Sequence, residues 1–164
     1  MPRCGEAGEL STGYEATFEP AMRAALAEAE AAAAAGDVPV GAVILDSAGA
    51  VVARGRNRRE ADADPTAHAE IVAIRAAART VGGWRLDGLT LVVTLEPCTM
   101  CAGAVTAARL SRLVYGAADP RAGAVGSLWD VVRDQRLVPV PEVIGGVLPD
   151  ICRDEIVKFF SGRR

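Results

Sequence analysis

Four side chains in two short segments have the types and spacing of a metal site that hydrolyses its substrate. His68 is the only histidine in the chain, and Glu70 follows it by two residues. Cys98 and Cys101 stand three residues apart, so on a helix both sulfur atoms lie on one face. One imidazole and two thiolates can hold a tetrahedral zinc ion and leave a fourth position for water. Zinc lowers the pKa of such a water to about 7, and Glu70 is placed to carry its proton.

Each of these residues also has an ordinary structural interpretation. A histidine near a helix start is more often a surface or capping residue, and an acid such as Glu70 favours the dipole of a first helical turn. The two cysteines alone suggest buried thiols or a redox pair, although a redox pair leaves the nearby histidine and acid unexplained. A structural zinc site needs a fourth ligand, and Cys4 and Cys152 are poorly placed to supply it. A catalytic site is therefore favoured over a zinc ion that only braces a binding module.

Alternating helical and strand patterns must position these residues. Turn-forming residues between the first two strand patterns predict an antiparallel hairpin, and the alternation as a whole predicts an α/β sandwich. Residues 1–17 show little apolar periodicity and are predicted to be a flexible tail, with one domain over 18–164. We predict helices at 20–35, 67–80, 99–109, 127–133 and 149–160, strands at 38–45, 50–54, 89–95 and 113–115, and a Val/Pro segment at 138–147.

Length and composition favour one soluble cytoplasmic domain. The chain has 164 residues, of which 51% are hydrophobic, enough to bury a core without disulfides. Its apolar runs are shorter than the roughly 20 residues that span a membrane. The N-terminus lacks the basic and apolar segments of a secretory signal. We therefore expect no membrane association and reduced thiols.

The formal net charge of −3 argues weakly against a nucleic-acid partner. Acids are concentrated in residues 1–37, however, and the remainder holds sixteen basic and fourteen acidic residues. A run of arginines near the hairpin is either a solvated loop or a basic surface. The arginines that we expect to meet phosphate, if the partner is a nucleic acid, are Arg54, Arg56, Arg58, Arg59 and Arg121.

The segments His68-Ala69-Glu70 and Pro97-Cys98-Thr99-Met100-Cys101 resemble the signature of the cytidine and deoxycytidylate deaminases. Stretches 64–70, 94–98, 100–104 and 126–128 further resemble bacterial tRNA-specific adenosine deaminases, and the resemblance runs over 18–164. It implies a three-layer α/β/α sandwich with a mixed sheet of about five strands flanked by helices. It also implies one Zn²⁺ per subunit, a cytoplasmic homodimer, and conversion of the wobble adenosine of an arginine tRNA with an ACG anticodon to inosine. Guanine, cytosine and nucleotide deaminases share the core signature, so it specifies zinc deamination better than the base.

The resemblance also assigns roles to individual residues. His68, Cys98 and Cys101 would hold zinc, and Glu70 would be the catalytic acid and base. Asn57 would bond the flipped base. Phe159 and Phe160 are adjacent on a helix and cannot face the same way, so at least one of them is expected to be buried. The remaining residues expected to contact the anticodon stem-loop are Val40, Ala69, Pro97, Asp119, Phe159 and Phe160.

Overall fold

The computed structural model describes residues 11–163, and one mixed sheet forms its middle layer. The strands are β1 (Gly41–Leu45), β2 (Val51–Arg56), β3 (Thr90–Leu95), β4 (Arg112–Ala117) and β5 (Glu142–Gly145). Their order across the sheet is β2-β1-β3-β4-β5. β1 runs antiparallel to β2 and to β3, which confirms the predicted hairpin, whereas β3, β4 and β5 are parallel to one another.

Helices cover both faces of this sheet. They are α1 (Ser11–Ala34), α2 (Arg59–Asp62), α3 (Ala69–Val81), α4 (Thr99–Ala107) and α5 (Pro149–Ser161). One buried cluster joins α3 and α4 to the sheet, and a second cluster joins α1 and α5 to the opposite face. The predicted three-layer α/β/α sandwich with a five-stranded mixed sheet is confirmed.

The side-chain alternation of β3 shows why two helical layers form. Leu91 and Val93 belong to the cluster under α3 and α4, whereas Val92 belongs to the cluster under α1. All three side chains are fully buried. A strand that is apolar on both faces requires cover on both faces, as is usual for the parallel part of a sheet.

Gly55 allows α3 to lie unusually close to β2. A Cβ atom at this position would come within 2.3 Å of the Ala69 carbonyl oxygen and 2.4 Å of the Ala73 nitrogen. Since Ala69 and Ala73 are themselves small and fully buried, backbone meets backbone across this contact. The first turn of α3, which carries Glu70, is therefore fixed against the sheet.

Three sequence predictions differ from the structure. α1 begins at Ser11 and contains Pro20 in its interior, so residues 11–17 are helical; the predicted tail residues 1–10, including Cys4, lie outside the described residues. Residues 127–133 form turns and a bridge between Val125 and Asp130 instead of the predicted helix. The short helix α2 was not predicted.

Within residues 11–163 no helix has the length and apolar character needed to cross a bilayer.

Candidate metal centre and substrate cleft

The candidate site lies at the sheet edge where four strands begin or end. Pairing of Ala42 with both Gly55 and Val93 aligns the start of β1 with the ends of β2 and β3. β4 is parallel to β3 and ends at the same edge. The segments that continue from these strand ends carry Asn57, Cys98 and Asp119, and in parallel sheets this edge commonly holds the ligand.

The structure brings the three predicted metal ligands together. Their donor atoms all lie within 4.8 Å of one another. The Nδ1 atom of His68 is 3.7 Å from Cys98 Sγ and 3.5 Å from Cys101 Sγ. In a tetrahedral zinc site, Zn–S bonds of about 2.3 Å and Zn–N bonds of about 2.0 Å separate sulfur and nitrogen by roughly 3.6 Å. The two nitrogen–sulfur distances therefore match those of a tetrahedral zinc site.

Two of these ligands occupy the N-cap positions of helices. His68 precedes α3 and Cys98 precedes α4, and neither side chain bonds to the first turn of its helix. Cys101 lies in the first turn of α4. The positive ends of two helix dipoles thus face the cluster, where they stabilise thiolate ligands.

Contact between the two thiols shifts their pKa values in opposite directions. The hydrogen bond with Cys101 holds the pKa of Cys98 far below its usual value, at about 3, and the bond to His68 acts in the same direction. The same contact with Cys98 raises the pKa of Cys101, and burial adds to that rise. A divalent cation among these donors would displace the thiol proton of Cys101, because metal-coordinating thiols bind as thiolates.

Glu70 is a buried carboxylate beside this cluster. It lies in the first turn of α3 and is 4% exposed. Burial raises the pKa of Glu70 to about 7. A carboxyl group with a pKa near neutrality can accept a proton in one step of a reaction and return it in the next.

A cavity of about 160 Å³ lies over His68, Glu70 and Cys98. Four predicted substrate-contact residues also line it, namely Val40, Asn57, Ala69 and Asp119. Pro97 is buried and is absent from this lining; its carbonyl oxygen instead accepts the Ala124 N–H at 2.8 Å. The structure thus brings most of the predicted contact residues into one cleft.

Asn57 has a fixed orientation in this cleft. It is 7% exposed, and its Oδ1 atom accepts the backbone N–H of Arg59 at 3.1 Å. Among the described residues its amide nitrogen has no hydrogen-bond partner, so that N–H group remains available to a ligand.

A second cavity, of about 780 Å³, continues from the cleft along α5. The two cavities share Asp119 and Arg59. Phe160 lines the second cavity and is 54% exposed, whereas Phe159 is partly buried, with the Arg163 guanidinium 4.0 Å from its ring centroid. The phenylalanines therefore face differently, as expected, although neither is fully buried.

The arginines of the hairpin region separate into paired and cleft-lining groups. Arg56 pairs with Glu28 at 3.5 Å and Arg58 with Asp62 at 2.7 Å, so both have protein partners. Arg59 and Arg121 line the cavity beside α5. Arg153 lines it as well, although the sequence analysis did not predict this residue.

Glu96 is a second residue that the sequence reasoning missed. It follows β3 directly and is 2% exposed. Burial opposes its ionisation, but hydrogen bonds from Ser127 and from backbone N–H groups hold the pKa of Glu96 below its usual value. The resemblance of stretch 94–98 included Glu96 but assigned it no role, and its position directly after an apolar strand was a second signal.

Comparison with known proteins agrees with this geometry. The family model of the cytidine and deoxycytidylate deaminase zinc-binding region matches residues 16–117, more than half of the chain. The chain belongs to this deaminase family. It is a hydrolytic deaminase that cleaves a C–N bond, and its zinc-binding region contains the cluster of His68, Cys98 and Cys101.

Relatives of this deaminase include proteins named tRNA-specific adenosine deaminase. The Haemophilus influenzae protein is 46% identical over 146 residues, covering 89% of this chain and 84% of the relative. The Bacillus subtilis protein is 43% identical over 143 residues, covering 87% and 88%. A structure from a study of tRNA:A34 deaminases superposes with a TM-score of 0.79 at 43% identity, covering 83% of this deaminase and 98% of that chain.

Proposed function

We propose that this deaminase converts the wobble adenosine of an arginine tRNA with an ACG anticodon to inosine and releases ammonia. The observation that carries the proposal is the continuity of two cavities. A small cleft over the metal cluster and Glu70 opens into a larger cavity lined by arginines and Phe160. The small cleft suits one base, and the larger cavity suits the nucleotides beside it. The similarity to tRNA-specific adenosine deaminases supports this substrate.

The chemistry assigns one role to each residue of the cluster. His68, Cys98 and Cys101 would hold one zinc ion per subunit, and the ion would supply a nucleophilic water of lowered pKa at neutral pH. Glu70 would take a proton from the attacking water while the water oxygen bonds to C6 of adenine. Glu70 then delivers a proton to the amino nitrogen as the C6–N bond breaks, and ammonia leaves.

Recognition of the base depends on the other residues of the cleft. A cavity of about 160 Å³ cannot admit a base pair, so the target base must be unstacked and turned into it. Asn57 donates its free amide N–H to an acceptor of the base, while Val40 and Ala69 contact the ring. Pro97 contributes indirectly, by holding the loop that carries Ala124.

The cavity beside α5 receives the rest of the anticodon loop. Phe160 is exposed there and offers a ring on which a neighbouring base can stack. Arg59 and Arg121 neutralise phosphates, and neither forms an ion pair within residues 11–163. Phe159 supports Phe160 through an edge-to-face contact, with ring centroids 5.4 Å apart. Asp119 lies where the two cavities meet, near the backbone of the target nucleotide.

The assembly is proposed to be a homodimer that acts in the cytoplasm, where its tRNA substrate is found. Leu128 and Trp129 are 50% and 53% exposed and adjoin the loop beside the cleft. Exposed apolar side chains of this size commonly mark a protein interface. A second copy of the chain covering them would place both subunits close to one RNA.

A substrate panel tests the proposed function. Zinc-loaded protein is incubated with transcribed arginine tRNA bearing an ACG anticodon, with the same tRNA carrying guanosine at the wobble position, and with free adenosine, guanine and cytosine. Inosine should form at the wobble position of the first transcript alone. Ammonia release from guanine or cytosine, without inosine in the tRNA, would contradict the proposal.

A further inference from the structure

Glu96, a buried carboxylate without a part in the proposed chemistry, is among the residues that line the substrate cleft. The Oε1 atom of Glu96 accepts the backbone N–H groups of Val125 and Ser127, each at 3.0 Å. Its Oε2 atom accepts the N–H of Asp119 at 2.9 Å and the hydroxyl of Ser127. All four donors belong to the segment 119–127. Since a buried carboxylate is costly without such bonds, this segment and Glu96 depend on each other.

The segment 119–127 forms one wall of the cleft. Asp119 and Ala122 both line the cavity over the metal cluster. The Ala124 N–H bonds to the carbonyl oxygen of Pro97 at 2.8 Å, one residue before the candidate ligand Cys98. Glu96 and Pro97 therefore fasten this wall to the same short segment that carries a metal ligand.

Gly123 makes room for the buried carboxylate. A Cβ atom at Gly123 would lie 2.4 Å from the carboxyl carbon of Glu96 and 2.5 Å from the Asp119 carbonyl oxygen. A side chain at this position would push the carboxylate or the loop aside. The lack of a side chain at Gly123 and the hydrogen bonds to Glu96 thus together set how closely the wall approaches residues 96–98.

We propose that Glu96 is a positioning residue, whose buried carboxylate holds residues 119–127 in place and so fixes the wall that Asp119 and Ala122 form around the substrate base. The kinetic part of its test rests on the proposed function, since it uses tRNA as the substrate. Although Glu96 also lines the cleft, both of its carboxylate oxygens are bonded to residues 119–127, so it acts through the loop.

Hydrogen exchange tests this role independently of any substrate. Glu96→Gln keeps the size of the side chain but turns an amide NH₂ toward groups that themselves donate hydrogen bonds. The amides of Asp119, Val125 and Ser127 should exchange at least about tenfold faster, because loss of a bond to a charged group is worth that factor or more. Glu30→Gln, which changes an exposed acid on α1, is the matched control and should change none of them.

Kinetics then separate positioning from catalysis. For Glu96→Gln we expect KM for the tRNA to rise about tenfold, with zinc content unchanged and kcat reduced much less. Ser127→Ala removes one of the four donors and should raise KM less. The double variant should resemble Glu96→Gln alone, because both changes disrupt one network.

Each outcome decides the proposal. Unchanged amide exchange in folded Glu96→Gln, additive effects in the double variant, or a loss confined to zinc content would overturn it. If Glu96→Gln yields no folded protein, Ser127→Ala decides in the same way, by whether exchange at residues 119–127 becomes faster. If the native protein does not deaminate tRNA, the proposed function fails, while the exchange result still answers whether Glu96 positions the loop.

Discussion

His68 and Cys98 occupy N-cap positions, where side chains usually cap a helix. Both side chains instead belong to the cluster of candidate metal ligands. Each helix start therefore places a ligand with the precision of its backbone and leaves the helix dipole to favour the bound thiolates. Glu70 follows His68 within the same turn. One rigid element thus positions both Glu70, the proposed proton carrier, and His68, a candidate metal ligand, which is why a short sequence pattern predicts them together.

Metal removal should expose how far stability depends on this cluster. A ligand bound only by the folded state adds about 4 kcal/mol when it is present at about a thousandfold above its Kd. We therefore expect a chelator to lower the Tm of the native protein by several degrees and to abolish activity, and added zinc to restore both.

Cys101→Ser is the control, because it removes a ligand at the buried end of the cluster. This variant should unfold at the same temperature with and without the chelator. If the chelator leaves the Tm of the native protein unchanged, the cluster holds no metal.

At the residue scale, local spacing was enough to predict which candidate ligands come together, whereas a residue that depends on distant backbone was missed. The ligands and Glu70 lie in two short segments, so their types and spacing are visible in the sequence. Glu96 depends on N–H donors 23 to 31 residues away, and nothing in its neighbourhood reveals that they fold back onto it.

Among the elements, α3 matters most for the site because Gly55 lets it approach β2. We predict that Gly55→Ala costs about 1 to 3 kcal/mol of unfolding free energy, since the added methyl overlaps backbone atoms of α3. It should also lower zinc content, because α3 carries His68 at its start. Urea unfolding and metal analysis measure both.

Gly83→Ala provides the comparison, because nothing lies within 4 Å of a Cβ at that position. It should leave stability and zinc content close to native values. Equal behaviour of the two variants would mean that the close contact between β2 and α3 does not fix the site.

The first four strands and the last helix could be predicted from apolar patterns, whereas β5, the start of α1 and the turns at 127–133 could not. Gly13 and the lack of periodicity concealed the first turns of α1, and Pro20 resembled a helix start although it lies inside the helix. Residues 127–133 include only Leu128 and Arg133 as strong helix formers, and the N–H of Val131, which a helix would direct to Ser127, bonds to the Ala124 carbonyl oxygen at 2.9 Å. A contact that uses such a backbone donor overrides a weak local helical preference.

At the scale of the whole molecule, a chain of net charge −3 is proposed to bind RNA through a local basic surface. Binding of an anticodon stem-loop should therefore weaken steeply as salt increases. Arg59→Ala and Arg121→Ala should each weaken binding and reduce the slope of log K against log salt by about 0.7 to 0.9, the value of one phosphate contact.

Fluorescence anisotropy over a salt series measures these slopes. Arg85→Ala is the matched control, because Arg85 is exposed, pairs with Asp87 and does not line either cavity. Identical slopes for all three variants would place the RNA elsewhere on the molecule.

The most direct test compares inosine formation at the wobble position of the arginine tRNA by the native protein and by Glu70→Gln, both with measured zinc content. Glu70→Gln keeps the shape of the side chain but cannot carry a proton. We predict equal zinc in both proteins and a rate at least about a hundredfold lower in the variant, the lower end of what a general acid and base contributes. A zinc-loaded Glu70→Gln that forms inosine at nearly the native rate would contradict the account.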